Sequence, residues 1–322
     1  MYGYEVFHKE IMETLINSVR QNTNANTYVF EGAGGLGKHQ AARLFAQALV
    51  CSDTKNAPCM SCAACKEAHS LSHPDIFFVE KEKDKQTIGV EPIRNMIAES
   101  MIKPFYNRHK VFIIDDGDLL TPQAQNAFLK IIEEPPQYAI FIIVCTNTEV
   151  LLQTVLSRAV TISFLPVSDT IVRDYIAAKY PDEARLDFLV KYCAGIPGYA
   201  DEIIGREDFD TLREDVLNLI PRLLSKNKAY AYDVADYADK NKDNISEICD
   251  IMLMYLRDAL VYAMGKPQNI INSDKEEKIS ILASKYTPET IARAIDEIIT
   301  TKKMLLRNVK ASAAILHAGL CI

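Results

Sequence analysis

The stretch His109–Pro166 reads HKVFIIDDGDLLTPQAQNAFLKIIEEPPQYAIFIIVCTNTEVLLQTVLSRAVTISFLP, and its periodicity decides the fold. Val111 to Ile114 form an apolar run ending in Asp115 and Asp116, and an amphipathic segment closed by Pro135-Pro136 follows. A second apolar run, Ala139 to Cys145, ends at Thr146-Asn147. A short helix then leads to Ser157-Arg158 and a third β-rich run, Val160 to Phe164. Apolar runs of strand length alternating with helical segments indicate parallel strands covered on both faces. In such sheets ligands sit beyond the carboxyl ends of the strands, where Asp115, Asp116, Thr146 and Asn147 all fall.

Upstream, Glu5 to Val19 place Ile11, Leu15, Ile16 and Val19 at helical spacing. Thr27 to Glu31 read as a strand that runs into Gly32-Ala-Gly-Gly-Leu-Gly37-Lys38, and a helical pattern follows from Ala41 to Leu49. Strand, glycine loop and helix in that order are the context of a phosphate-binding P-loop. Gly32, Gly35 and Gly37 let backbone N–H groups face phosphates, the helix N-terminus adds its dipole, and Lys38 reaches the terminal phosphates. The alternative is a glycine-rich turn without a ligand. One position departs from the pattern: His39 follows Lys38, where Ser or Thr places a hydroxyl on Mg²⁺. Nucleotide binding through the backbone and Lys38 survives that change, whereas efficient hydrolysis does not follow.

Cys51, Cys59, Cys62 and Cys65 lie within fifteen residues, the last three as an overlapping CxxCxxC. Four thiolates at this spacing close a tetrahedral Zn²⁺ site and leave no open position, so the site is expected to be structural. An iron–sulfur cluster or free thiols are the alternatives. His69 and His73 are expected to be surface or packing residues. Next come a strand, Ile76 to Glu80, a charged turn, Lys81 to Lys85, and a helix, Ile88 to Ile102, with Ile93, Ile97 and Met101 on one face. Phe105 to His109 form a loop. Asp115 is placed to hold the Mg²⁺ water shell, while Asp116 is one methylene shorter than the Glu that would polarise water. Thr146 and Asn147 are candidates for a γ-phosphate or water contact, with capping of the strand end as the alternative for Asn147.

The whole chain sets the bounds. Its 322 residues fit two or three domains, and 48% hydrophobic with 25% charged residues mark a folded chain rather than a disordered one. A net charge of −7 excludes a surface that grips nucleic acid by bulk charge. The start, MYGYEVFHKE, is no signal peptide, and the most apolar run, Tyr138 to Cys145, is too short to cross a bilayer. No membrane association is expected, and the cytoplasm is the expected location, where clustered cysteines read as ligands rather than disulfides. No polymerase active-site pattern occurs.

Asn126-Ala-Phe-Leu-Lys130, Glu133-Glu-Pro-Pro136 and Ser157-Arg158 together resemble the bacterial clamp-loader AAA+ subunits. The four-Cys module placed directly after the P-loop helix agrees, as do His73-Pro74-Asp75, Ile88-x4-Ile93-Arg94 and Lys110-Val111. The resemblance covers about Gly3 to Pro166, over half the chain. Gamma/tau motor subunits of that family carry Thr or Ser after the P-loop Lys, Asp-Glu at the strand end and an Arg in the lid. This chain has His39, Asp115-Asp116 and Gly195-Ile-Pro-Gly198 there, so the resemblance is to a non-motor member. Ser157-Arg158 is kept, with Ala159 where a Cys commonly follows.

The resemblance implies a RecA-like α/β domain with a zinc insertion (1–166), a helical lid (167–207) and an all-α collar (208–322). It implies a stator that completes the loader ring and donates Arg158 in trans to ATP held by a motor neighbour. The delta and gamma/tau subunits would be its partners, and the complex would reach the sliding clamp and primed DNA. Arg158 alone would read as a surface ion pair or a helix C-terminal cap. ATP or ADP with Mg²⁺ would sit at Gly32, Gly35, Gly37, Lys38, His39, Asp115, Asp116 and Asn147, and Zn²⁺ on Cys51, Cys59, Cys62 and Cys65. One alternative is a motor subunit in which Lys38, Asp115 and Asp116 hydrolyse ATP in cis; another is a stand-alone P-loop regulator.

Beyond Pro166 the pattern is helical: Ser168 to Tyr180, Glu183 to Cys193, and a third segment from Tyr199 after the Gly195–Gly198 turn. Ile248, Met252, Tyr255 and Ala259 mark one face, and Ile291, Ile295, Ile298, Leu305 and Val309 another. Leu306-Arg307-Asn308-Val309 resembles the last collar helix of the family, with Lys310 replacing its second Asn. Cys145, Cys193, Cys249 and Cys321 are expected to be small core residues.

Overall fold

The computed structural model describes residues 7–81, 85–106, 108–225 and 227–322. It divides into two compact units, Met1–Pro181 with Ala194–Gly198, and Asp182–Cys193 with Tyr199–Ile322. Glu5 and Val6 of the expected first helix, Glu82, Lys83 and Asp84 of the charged turn, and Asn107 of the following loop lie outside the described residues.

The first unit is built on strands β1 (Thr27–Glu31), β2 (Ile76–Val79), β3 (Lys110–Ile114), β4 (Ala139–Cys145) and β5 (Val160–Ser163). All pair in parallel in the order β2-β3-β4-β1-β5. Every residue of β3 and β4 is buried, which is why their sequences run apolar instead of alternating. Successive side chains take opposite faces. Val111, Ile113, Ile140 and Ile142 join Leu15 of α1 (Lys9–Gln21) and Phe45 of α2 (Lys38–Val50) in one core layer. Phe112, Ile114, Phe141 and Ile143 join Ile93 and Met96 of α4 (Val90–Ser100) and Phe128 of α5 (Pro122–Glu133) in the other. Between them α3 (Ala63–His69) carries the last cysteine of the cluster, and α6 (Gln153–Leu156) precedes Arg158. Helix α7 is Asp169–Lys179. The parallel pairing, with the glycine loop after β1 and the acids after β3, is as expected from the sequence; the strand order was not legible there.

The second unit is all helical: α8 (Leu186–Tyr192), α9 (Gly198–Ile204, its first residue counted with the first unit), α10 (Phe209–Leu223), α11 (Lys228–Lys240), α12 (Ile245–Ala263), α13 (Glu276–Lys285), α14 (Pro288–Leu306) and α15 (Ala311–Cys321). Ile248, Met252, Tyr255 and Ala259 are all buried, as their spacing requires. Helix α12 packs on α14, and α11 on α15.

Four expectations need correction. Met101 is 61% exposed because α4 ends at Ser100, and Met96, on the helical face of Ile93, is buried in its stead. Val309 is exposed because α14 stops at Leu306. For the same reason Leu306-Arg307-Asn308-Val309 is not part of the last helix; it spans the turn before α15, where Asn308 takes φ +59°. Cys145, Cys193 and Cys249 are buried, but Cys321 ends α15 and is exposed.

Candidate functional site

The ends of β1, β3 and β4 are adjacent in the sheet, so the glycine loop, the paired acids and Thr146-Asn147 converge on one edge. Gly32, Gly35 and Gly37 all hold positive φ, +143°, +82° and +79°, a region L side chains rarely enter. Gly35 is further confined. Its carbonyl accepts from Gly198 N at 3.0 Å, and a Cβ on Gly198 would lie 2.5 Å from Gly35 Cα. The Gly195–Gly198 segment, which stands where a lid arginine is expected, is thus clasped against the P-loop.

Lys38 is buried, and its Nζ donates to Gly32 O at 2.6 Å and Ala33 O at 2.7 Å. Burial lowers its pKa, partly offset by Cys145 and Asp118. The ammonium therefore sits inside the loop it serves. His39 Nδ1 lies 2.8 Å from Asp115 Oδ1, joining a departure from the hydrolytic pattern to the acid that the pattern retains; that oxygen is otherwise buried without a hydrogen bond. Asp116 is exposed. Thr146 is exposed, but its N–H and hydroxyl are both engaged, donating to Asp118 at 2.8 and 2.9 Å. Asn147 caps the short turn that follows, its Oδ1 accepting from Glu149 N at 2.9 Å.

Arg158 lies at the end of α6 and is 38% exposed. Its Nη2 pairs with Glu133 Oε1 at 2.9 Å, and its Nη1 donates to Thr154 O and Ser157 Oγ at 3.1 and 3.2 Å. The approach to it is held by a residue that sequence reasoning missed. Gln125 is buried on α5; its Nε2 donates to Leu120 O and Val150 O, and its Oε1 accepts from Leu152 N at 2.7 Å. His8 was missed too: its Nε2 lies 3.0 Å from Leu36 O of the P-loop, and burial lowers its pKa. A glutamine or histidine in an amphipathic helix carries no signal that separates such a role from a solvated one.

The ligand atoms of Cys51, Cys59, Cys62 and Cys65 all lie within 4.8 Å of one another. Backbone N–H groups of Cys59, Cys62 and Cys65 point at the sulfurs of Cys51, Cys59 and Cys62, at 3.4, 3.4 and 3.3 Å. Such N–H···S contacts favour thiolates, which is the state a metal needs. Hydrogen bonds from Ser61 pull the Cys59 thiol down to about 6. At Cys62 burial opposes, but backbone donors at Ser52 and Cys65 prevail and lower it; burial raises Cys51 and Cys65. The donor set fits a closed tetrahedral metal site. His73 is no ligand. It is buried, and its Nδ1 accepts from Asp75 N at 3.0 Å, while Asp75 accepts from Phe105 N and Tyr106 N.

Fold and site together define an AAA+ P-loop protein with a four-cysteine cluster that could hold a metal ion. Residues 7–168 match the model of the family described as "DNA polymerase III, delta subunit", and residues 207–316 match its C-terminal counterpart. The chain belongs to that family. The delta' subunit of Bacillus subtilis is 28% identical over 97% of this chain and 95% of its own length, and the chain is of that delta-prime, clamp-loader type. The tau subunit of B. subtilis is 26% identical over 80% of this chain, which spans about half (49%) of that longer protein. A solved DNA polymerase III gamma subunit-related protein from Thermotoga maritima matches 96% of this chain and 98% of its own at 18% identity, with a TM-score of 0.44. No helix among the described residues is long and apolar enough to cross a membrane.

Proposed function

We propose that this chain is the stator of a replication clamp loader: it completes the subunit ring, and Arg158 acts in trans on ATP held by a motor neighbour. An arginine presented to a neighbour's γ-phosphate stabilises charge developing in phosphoryl transfer. The observation that carries the reading is the His39–Asp115 pair. An imidazole stands where the magnesium hydroxyl belongs and engages the acid that would hold the metal's water shell, 2.8 Å away. A nucleotide with Mg²⁺ is then bound weakly at Gly32, Gly35, Gly37 and Lys38, with His39, Asp115, Asp116 and Asn147 around it, and is not turned over efficiently. Cys51, Cys59, Cys62 and Cys65 hold structural Zn²⁺. Residues 167–207 serve as lid and 208–322 as collar; the delta and gamma/tau subunits are the partners, and the complex carries the sliding clamp to primed DNA.

The test is clamp- and primed-DNA-stimulated ATP turnover in loaders reconstituted with Arg158→Ala or, separately, Lys38→Ala. The stator reading expects Arg158→Ala to lower turnover by about 10³-fold or more at the site it serves, with Lys38→Ala near wild type. The opposite pattern makes the chain a motor acting in cis. Indifference to both removes the loader role.

A further inference from the structure

The exposed Cys321, the one isolated cysteine that escapes the core, is not alone. His317 lies one turn earlier on α15, so the two side chains share a helical face. Its Nε2 is 3.8 Å from Cys321 Sγ, and its Nδ1 is 3.7 Å from Oε2 of Glu297 on α14. One ligand atom from each of the three residues lies within 4.8 Å of the other two. That Glu297 oxygen is buried and makes no hydrogen bond, an arrangement that normally calls for a partner. The two helices are fixed to each other beside the cluster, because the buried Thr301 hydroxyl, one turn on from Glu297, donates to Glu297 O and Ala314 O. Gly319 also lets α15 close on α11: its Cβ would come within 2.9 Å of Ala231 Cβ.

We propose that Glu297, His317 and Cys321 form a second metal site, separate from the four cysteines, for a borderline-soft divalent cation of the Zn²⁺ class. Thiolate sulfur, imidazole nitrogen and carboxylate oxygen are the donors such a cation takes, and mixed sets of this kind disfavour Mg²⁺ and Ca²⁺. A metal accepts one ring nitrogen, so the site closes by rotation of the half-exposed His317 ring, an inexpensive movement for a terminal sp² torsion. Binding releases the Cys321 thiol proton to solvent. Three protein donors leave a fourth position for water or an exogenous ligand, unlike the closed four-cysteine site. Arg293, one turn before Glu297, donates to the Ile322 carbonyl at 3.5 Å.

The full chain, stripped with a chelator, is titrated with Zn²⁺ against a competing indicator. In parallel, the rate of Cys321 alkylation is followed by peptide mass spectrometry with and without Zn²⁺. Wild type is expected to bind one equivalent more than Cys321→Ser or His317→Ala, whatever the four-cysteine module takes up. Zn²⁺ should slow Cys321 alkylation at least about ten-fold, and Glu297→Gln should remove most of that protection. His317 and Cys321 are exposed and Glu297 is partly buried, and circular dichroism of each variant checks the fold. Equal stoichiometry in wild type and Cys321→Ser, or alkylation indifferent to Zn²⁺, overturns the site.

Discussion

Arg213 is 1% exposed on α10, and it makes clear how single residues hold the helical unit. Its guanidinium donates to Asp274 Oδ1 and Asn272 Oδ1, at 2.9 and 2.8 Å, and lies 3.6 Å over the Phe188 ring. Burial alone would lower its pKa, but the Asp274 hydrogen bond and nearby negative charge outweigh that and raise it. Arg213→Met is expected to destabilise the chain by about 3 kcal/mol, because removing one partner strands the others; urea unfolding measures it. A wild-type midpoint would show that the network is idle. His73 supplies a pH dependence. Burial lowers its pKa, with Asp75 and Glu67 only partly offsetting, so the folded chain holds the ring neutral. Above about pH 6.5 neither state is charged; below it the unfolded chain takes the proton first and stability falls until the lowered folded value is passed. His73→Asn, which keeps an acceptor for Asp75 N–H, should flatten part of that decline in urea titrations run on either side of pH 6.

At the scale of elements, the loop that leads to Arg158 is only as fixed as its attachment to α5. Gln125 supplies three hydrogen bonds to backbone groups at Leu120, Val150 and Leu152. Gln125→Ala leaves those groups without partners and should cost about 1–3 kcal/mol. If Arg158 acts in trans, the same change lowers loader turnover while assembly, read by gel filtration, is kept. Turnover unchanged in the face of lost stability would deny Gln125 any positioning role. Elements of this kind were legible in the sequence to different depths. Strands β3 and β4 announced themselves because burial on both faces demands unbroken apolar runs. Lys110, which opens β3 with a buried side chain, did not; its Nζ is satisfied by Glu99 at 2.6 Å, a pairing across elements that no local pattern encodes.

The molecule as a whole is two cores on one chain, and the division does not follow sequence order. Helix α8 belongs to the helical unit, where Phe188 lies under Arg213 and Tyr192 meets Phe209 at 5.7 Å. A fragment spanning 182–322 is therefore expected to melt cooperatively by circular dichroism. One beginning at 207 lacks Phe188 and Tyr192 and should be weaker by an amount on the order of a buried Phe truncation, about 3–5 kcal/mol. Equal stability of the two fragments would mean that α8 contributes nothing. That the four cysteines cluster and that the glycines form a loop after β1 was legible, because in both cases the residues concerned stand close together in sequence. Sequence reading missed Gln125, Asp118 and the Arg213 network, since their partners lie tens of residues away and their residue types are the common currency of solvated helix faces.

The resting contact between Arg158 and Glu133 acts as a threshold. A half-exposed pair of this kind is worth about 0.2–1 kcal/mol, so an incoming anion displaces Glu133 only if it outbids a modest, nearby rival. If Arg158 acts in trans, the γ-phosphate of a neighbour's ATP is the anion that has to make this exchange. Dissolved salt weakens the resting pair and the contact that replaces it through the same screening. A polyanion's attraction is screened more steeply than that of a single carboxylate, so added salt favours the resting pair over its replacement and raises the threshold.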